Sequence, residues 1–248
     1  LRERAPIVLA LASYNVHACV GRDRRFDPGR VAAVLEELDA DVVALQELES
    51  RPEQGADLLE HLGARLGLTA VHGPTMIRAH RSYGNALLIR GSVVSLLRHD
   101  LSIRPREPRG AIEAEVMVRD RPLRVIGTHF GLSRRERVRQ AARLVERVRV
   151  SVEPPTLLLG DLNEWLPWAA PLRIVRRRFD AAAAPATYPA GLPLLALDRM
   201  WIHRGGAPRL DVRRHDSPLA RRASDHLPLH GTLSLDAAVP GGSPAMEG

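Results

Sequence analysis

Short apolar runs recur along this 248-residue chain, and many of them meet a polar side chain able to do chemistry. Ile7 to Ala12 leads into Ser13-Tyr14-Asn15, and Val42-Val43-Ala44-Leu45 leads into Gln46-Glu47. Val125-Ile126 leads to Thr128-His129, and Leu157-Leu158-Leu159-Gly160 leads to Asp161-Leu162-Asn163. Leu194-Leu195-Ala196-Leu197 precedes Asp198, and Ser224-Asp225-His226 precedes Leu227-Pro228-Leu229. Apolar runs this short, bounded by turn residues, predict buried strands. Further strands are expected near 69–72, 85–90, 93–99, 111–118, 123–129, 156–161, 197–203, 209–214 and 227–233.

Helical spacing interrupts these runs. Asp27-Pro28 reads as an N-cap and first helical residue, after which Val31, Val34, Leu35 and Leu38 form one apolar face. Residues 53–66 read as a second helix with Leu58, Leu59, Leu62 and Leu66 inward. Ser133 with Glu136 forms a capping box. The helix it opens is expected to bury Val138, Ala141, Ala142, Val145 and Val148. Its opposite stripe of Arg134, Arg135, Arg137, Arg139, Arg143 and Arg147 reads as a solvated face, with phosphate binding as the alternative. Two strand–helix–strand stretches with strand-rich middle and end segments predict two packed sheets with helices outside. No repeat or linker divides the chain, so residues 1–236 are expected to form one domain. Residues 237–248 lack periodicity and read as a loose, disordered tail.

Composition narrows the partners. All 36 basic residues are Arg, and the net charge of +7 favours nucleic acid, phospholipid surfaces or phosphorylated metabolites, or simply aids solubility. An apolar content of 45% excludes disorder. The single Cys19 allows no internal disulfide. No apolar run approaches the ~18 residues of a membrane span. The apolar part of residues 1–12 is too short for a signal peptide, so it reads as the first strand of a cytoplasmic protein. Leu1 in place of Met suggests a trimmed or alternative start.

The polar residues at the run ends suggest a chemistry. In extended backbone i and i+2 share a face, so Asp161 and Asn163 would project together while Leu162 turns to the core. The other reading is a strand entering a turn, since Gly, Asp and Asn favour turns. A carboxylate beside an amide suits proton abstraction from water and binding of a charged oxygen. Glu47, at the end of a buried strand, needs a partner. A hard divalent cation fits, because Mg²⁺ takes one or two carboxylates plus waters and substrate phosphate; an Arg ion pair is the alternative. Arg109, in PREPRG, is able to clamp phosphate bidentately or to pair with Glu107 or Glu113. His17 follows Asn15 at the same end. Trp165 and Trp168 are spaced for one face of a short helix, as core packing or as an apolar lip with Pro193-Leu194-Leu195. Arg213-Arg214 and Arg221-Arg222 flank the segment before Asp225.

Taken in order, SYN (13–15), LQE (45–47), GNALL (84–88), PRG (108–110), THF (128–130), GDLN (160–163), LDR (197–199) and SDH (224–226) resemble the endonuclease/exonuclease/phosphatase superfamily, with its DNase I-like fold. GDLN and SDH are weak alone; the ordered series across residues 13–226 is specific. The resemblance implies a four-layer α/β/β/α sandwich, which periodicity alone does not give. It implies Mg²⁺ or Mn²⁺ held mainly by Glu47, with Asn15 and Asp225 on the metal side. Asp161 would activate the attacking water, Asn163 would fix that water or a phosphoryl oxygen, and His226 would donate to the phosphate, oriented by Asp198. His129 would face the phosphate opposite His226, which leans away from the AP-endonuclease-like branch. Asn85 and Arg109 would bind substrate. The implied activity is metal-dependent hydrolysis of a phosphate ester, first a phosphodiester of nuclease type. A phospholipid or sphingomyelin-type diesterase and a small-molecule phosphatase are the alternatives. A non-catalytic nucleic-acid or lipid-binding module would carry a damaged site, whereas every expected polar position stands here.

Overall fold

The computed structural model describes residues 7–50, 57–78, 81–203 and 209–235. Strands β1 (Ile7–Asn15), β2 (Val42–Ser50), β3 (Thr69–Arg78), β4 (Arg81–Ile89), β11 (Arg209–Arg214) and β12 (Leu229–Leu235) make one sheet, in the order β11-β12-β1-β2-β4-β3. Strands β5 (Gly91–Asp100), β6 (Gly110–Val118), β7 (Arg121–His129), β8 (Thr156–Asp161), β9 (Phe179–Ala181) and β10 (Asp198–His203) make the other, in the order β5-β6-β7-β8-β10-β9. Each sheet holds one parallel pair, β1 with β2 and β7 with β8. A parallel pair needs a crossover, supplied by α1 (Pro28–Leu38) in the first sheet and α3 (Arg134–Arg147) in the second.

Side-chain alternation sorts the apolar residues into three layers of core. Leu9, Leu11, Val42 and Ala44 meet Val125, Leu157, Leu159 and Met200 between the sheets. Residues one place along, such as Ala12, Tyr14, Val43 and Leu45, pack outward against α1, α2 (Leu58–Leu66) and α5 (Ala220–Ala223). Ile126, Leu158 and Trp201 pack outward against α3 and α4 (Ala170–Val175). Two sheets face to face with a helical layer on each outer face are the four-layer sandwich the resemblance implied.

Several elements depart from the pattern read in the sequence. Helix α2 begins at Leu58 because the Asp57 carboxylate accepts from the N–H groups of Leu59 and Glu60; residues 53–56 of the expected helix lie outside the described residues. So do His80 and the expected tail at 237–248. On α1, Asp27 caps the Arg30 N–H as expected, and Val31, Val34, Leu35 and Leu38 are buried. Helix α3 is rotated from the expected face: it buries Glu136, Arg137, Gln140, Ala141 and Leu144, while Ala142 is exposed. Ser133 caps the Glu136 N–H, but the Glu136 carboxylate accepts from Gln140 at 3.2 Å. Arg137 is therefore no part of a solvated stripe; it donates to Glu164 Oε2 at 3.0 Å in a buried ion pair. Residues 194–197 are irregular, and Asp198 opens β10 instead of closing a strand.

Candidate active site

The alternation that builds the inter-sheet core also aims the polar residues. In β1 the inward row Leu9, Leu11, Ser13 ends on Asn15. In β7 the inward row Leu123, Val125, Gly127 ends on His129, and in β8 Leu157 and Leu159 are followed by Asp161. In β10, Asp198 shares the side of Met200. His129 pairs with Asp161 across β7–β8, and Asp161 with Asp198 across β8–β10. Four polar groups thus stand between the sheets at one end, where the apolar filling stops.

Glu47 joins them through a bulge. By strict alternation it would share the outward side of Val43 and Leu45. The β2–β4 register slips between Leu45 and Leu48, and Glu47 takes a left-handed φ of 55°. That conformation is strained for a non-glycine residue, a cost often found at functional positions. The slip turns Glu47 to Asn15, whose amide donates to Glu47 Oε1 at 3.0 Å and to Asp161 Oδ2 at 3.1 Å. Glu47 is thus in mid-strand, not at the strand end read from the sequence.

Asp161 and Asn163 do come together, by a turn and not by extended pleating. Asn163 has φ 51°, and its N–H donates to Asp161 Oδ1 at 2.8 Å. Leu162 is buried in the outer core, as expected. Gly160 is required here: a Cβ would meet Thr128 O at 2.0 Å, and φ is 154°. The Asn163 amide donates to Phe130 O at 2.8 Å and to His129 Nε2 at 3.0 Å. A flipped amide would set its oxygen against Phe130 O, so His129 Nε2 is held as an acceptor.

Asp161 Oδ2 lies between two histidines, 3.6 Å from His129 Nε2 and 3.7 Å from His226 Nε2. Their environments differ. Burial drives His129 down to about 3, with Asp161 opposing and the Arg109 and His226 charges adding to the fall. Burial would also lower His226, but Asp198, Asp161 and Asp225 outweigh it and raise it to about 10. His226 Nδ1–H donates to Asp198 Oδ2 at 2.9 Å, and Thr187 Oγ1 donates to the same oxygen at 2.5 Å. The Tyr188 ring lies 4.9 Å from that of His226, centroid to centroid. Asp161 itself is raised, by burial and then by Asp198. Burial pushes Asp225 up, yet the His17 hydrogen bond and the His226 charge hold it below the usual carboxylate range.

The structure therefore gathers Asn15, Glu47, His129, Asp161, Asn163, Asp198, Asp225 and His226 at one end of the sandwich. Asn85 and Arg109 sit at the edge of this cluster. Asn85 Nδ2 donates to Gly110 O at 2.9 Å, which Thr128 Oγ1 also reaches at 3.0 Å. Buried Arg109 pairs with Glu107 at 2.6 Å and hydrogen-bonds Tyr83. The Glu113 alternative is excluded, because Glu113 is taken by His99, Arg124 and Arg149. His17, only noted in the sequence, belongs to the cluster: its Nδ1 is 3.2 Å from Asp225 and 3.9 Å from Glu47. Its position two residues after Asn15 was the available signal. Thr187, Tyr188 and Arg199 were missed. They lie in or beside irregular chain, and Arg199 acts from behind, donating to the carbonyls of Asp198 and Glu164.

The donor set fits a bound cation. Glu47, Asp161 and Asp225 have only histidines as ion-pair partners, and no arginine among the described residues. Asp198 Oδ1 is buried without a partner. Asp161, Asp198 and His226 offer ligand atoms within 4.8 Å of one another, a buried acidic and histidine group able to hold a metal. Within it, Asp198 Oδ2 already serves His226 and Thr187, while the Glu47 side chain keeps 24% of its surface exposed. Hard divalent ions prefer such oxygen ligands to imidazole.

The family model for the endonuclease/exonuclease/phosphatase family matches residues 12–226. Uncharacterized protein YbhP of Escherichia coli (strain K12) is 28% identical over 246 residues, covering 89% of this chain and 94% of its own length. An endonuclease/exonuclease/phosphatase from Beutenbergia cavernae superposes with a TM-score of 0.73 at 20% identity, over 96% of this chain and 74% of that one. The mannosyl-6-phosphatase of Bacteroides thetaiotaomicron superposes at 0.67 with 16% identity, over 91% and 99%. Among the described residues no helix is long and apolar enough to cross a membrane.

Proposed function

Since the chain belongs to the endonuclease/exonuclease/phosphatase family, we propose that it is a divalent-cation-dependent hydrolase that cleaves a P–O bond of a phosphodiester. The observation that carries this reading is Asp161 Oδ2 between His129 and His226, with Asp198 behind His226. A carboxylate raised by burial suits a general base near neutral pH. Asp161 takes a proton from water as the water oxygen bonds to phosphorus and the ester P–O bond opposite it breaks. The departing oxygen takes a proton from His226 or from solvent. The His226 imidazolium donates to the phosphoryl oxygens as their charge grows, and Asp198 keeps its ring in place. Both N–H groups of the Asn163 amide are engaged, by Phe130 O and His129 Nε2. Its oxygen is left to accept from the attacking water, and neutral His129 serves by fixing that amide. Mg²⁺ or Mn²⁺, held by Glu47 with Asp225 and Asn15 beside it, would supply positive charge at the phosphate. Asn85 and Arg109 line the substrate side.

A polynucleotide substrate has less support than the basic pairs promised. Arg214 and Arg221 are both tied to Asp216, and Arg221 also reaches the carbonyls of Ala190 and Gly191. The test is a panel of bis-p-nitrophenyl phosphate, p-nitrophenyl phosphate, plasmid, oligonucleotides, sphingomyelin and glycerophospholipids, with Mg²⁺, with Mn²⁺ and with EDTA. Metal-dependent turnover of a diester supports the proposal. Turnover of p-nitrophenyl phosphate alone moves it to a small-molecule phosphatase, and full activity in EDTA rejects it.

A further inference from the structure

Trp165 and Trp168 are neither helical nor in the core. They lie on the irregular segment after Asn163, 44% and 71% exposed. Leu166 is on the same segment, and Leu132, 77% exposed, follows His129 by three residues. Because β7 and β8 run parallel with His129 opposite Asp161, these two segments leave the sheet side by side at the site end. Leu192 and Leu194 project from the loop that carries Tyr188 and runs on to Asp198, and Leu194 is 69% exposed. That loop is fastened to the site, with Ala190 N–H donating to Asp225 O at 2.7 Å and Leu195 N–H to Tyr188 O at 2.8 Å. Six of the eleven exposed large hydrophobic side chains among the described residues thus stand on three loops around one mouth. Grouped exposed apolar surface of this kind marks an interaction site.

Outside the acidic site itself, exposed arginines border this mouth, and Asp23 on the same rim is already paired with Arg30. Arg134 and Arg135 open α3 beside Leu132, both exposed, and no carboxylate among the described residues pairs with either. Cations in the first turn oppose the helix dipole, so helix stability does not explain them. Exposed Arg22 lies against Gly191, next to Leu192, and Arg24 is exposed on the same loop.

We propose that this end of the molecule docks on an anionic phospholipid bilayer, the Trp and Leu side chains entering the headgroup region while the arginines meet lipid phosphates. Trp favours that boundary. Apolar burial with attraction between basic residues and anionic lipid is how proteins bind a membrane surface without spanning it. Single-stranded nucleic acid would use the Trp faces for stacking but would leave Leu132, Leu192 and Leu194 unexplained. The proposal goes beyond the hydrolytic reading and does not depend on it, because binding is measured without turnover.

The experiment is sedimentation of the full chain in EDTA with phosphatidylcholine vesicles, with and without phosphatidylglycerol. Binding is expected to require phosphatidylglycerol. The double change Trp165→Ala with Trp168→Ala should weaken it roughly tenfold or more, and so should Arg134→Glu with Arg135→Glu. Both pairs are exposed, and both double variants should keep the wild-type rate on bis-p-nitrophenyl phosphate. Failure of the wild-type protein to bind phosphatidylglycerol vesicles overturns the proposal, as does binding that both double changes leave intact. Binding of an oligonucleotide in place of vesicles would assign the surface to nucleic acid.

Discussion

The two histidines that flank Asp161 sit at nearly equal distances from one oxygen, yet hold opposite charge states. His226 has two neighbouring carboxylates, at Asp198 and Asp161, and a third nearby at Asp225, and stays an imidazolium. His129 is as deeply buried, accepts a hydrogen bond at Nε2 from an amide, feels the Arg109 charge, and stays neutral. Similar burial with different partners yields two tools: a cation to meet a phosphate and a neutral acceptor to hold Asn163. Groups whose surroundings push their ionisation apart mark the acid and base roles of a site.

The comparison breaks most severely if its shared centre or its charged member is removed. Asp161→Asn and His226→Ala should each lower kcat roughly 100-fold or more, as for other acid–base groups, with the fold retained by circular dichroism. Glu47→Gln should cost a comparable factor and raise the Mg²⁺ or Mn²⁺ concentration needed for half-maximal rate. An unchanged metal requirement would remove Glu47 from the proposed ligand set.

A smaller effect sharpens the pairing of His226 with Asp198. Asp198→Asn should lower kcat by about tenfold and move the alkaline limb of the pH–rate profile to lower pH. The sign follows from the raised ionisation of His226. The required imidazolium persists in the wild type up to about 10, and without the Asp198 charge only Asp161 and Asp225 are left to oppose the lowering effect of burial. For stability, the same raised group contributes fully below its unfolded value near 6.5 and loses that contribution as pH rises through about 10. A rate profile in Asp198→Asn that overlays the wild type would separate the two residues.

Still smaller, Thr187→Val removes one hydrogen bond to Asp198 and should cost about 1 kcal/mol of stability. His129→Gln should lower kcat without moving the alkaline limb, because a neutral group contributes no titration there.

Much of this contrast was legible in the chain. That Asn15, His129 and Asp161 stand at strand ends was legible from the apolar runs leading to them, but runs such as Ile7–Ala12 and Leu157–Leu159 are apolar on both faces and do not say which side faces the other sheet. Other parts depend on backbone events that alternation does not encode. The bulge that brings Glu47 inward is visible only as a slip against β4, and the Asp161–Asn163 contact needs an Asx turn. The α3 face was misread because Arg137 and Gln140 are buried by pairing with Glu164 and Gly131, which outweighs their polarity. Spacing placed Trp165 and Trp168 on one face of a short helix, as core packing or as an apolar lip; there is no helix, and the segment is held by the buried Glu164 carboxylate, which accepts from Leu166 N–H. Thr187 reaches Asp198, and Tyr188 reaches His226, from irregular chain, where no periodicity announces a role.

The most direct test of the site is the charge state of its two histidines, read by ¹⁵N–¹H NMR of histidine-labelled protein through a pH titration, with His129→Gln and His226→Ala assigning the signals. The account predicts that His226 stays doubly protonated through neutral pH and that His129 stays singly protonated, with Nε2 bare, down to the acid limit of the fold. A His226 that loses its proton near 6.5, or a His129 that is charged at neutral pH, would contradict it.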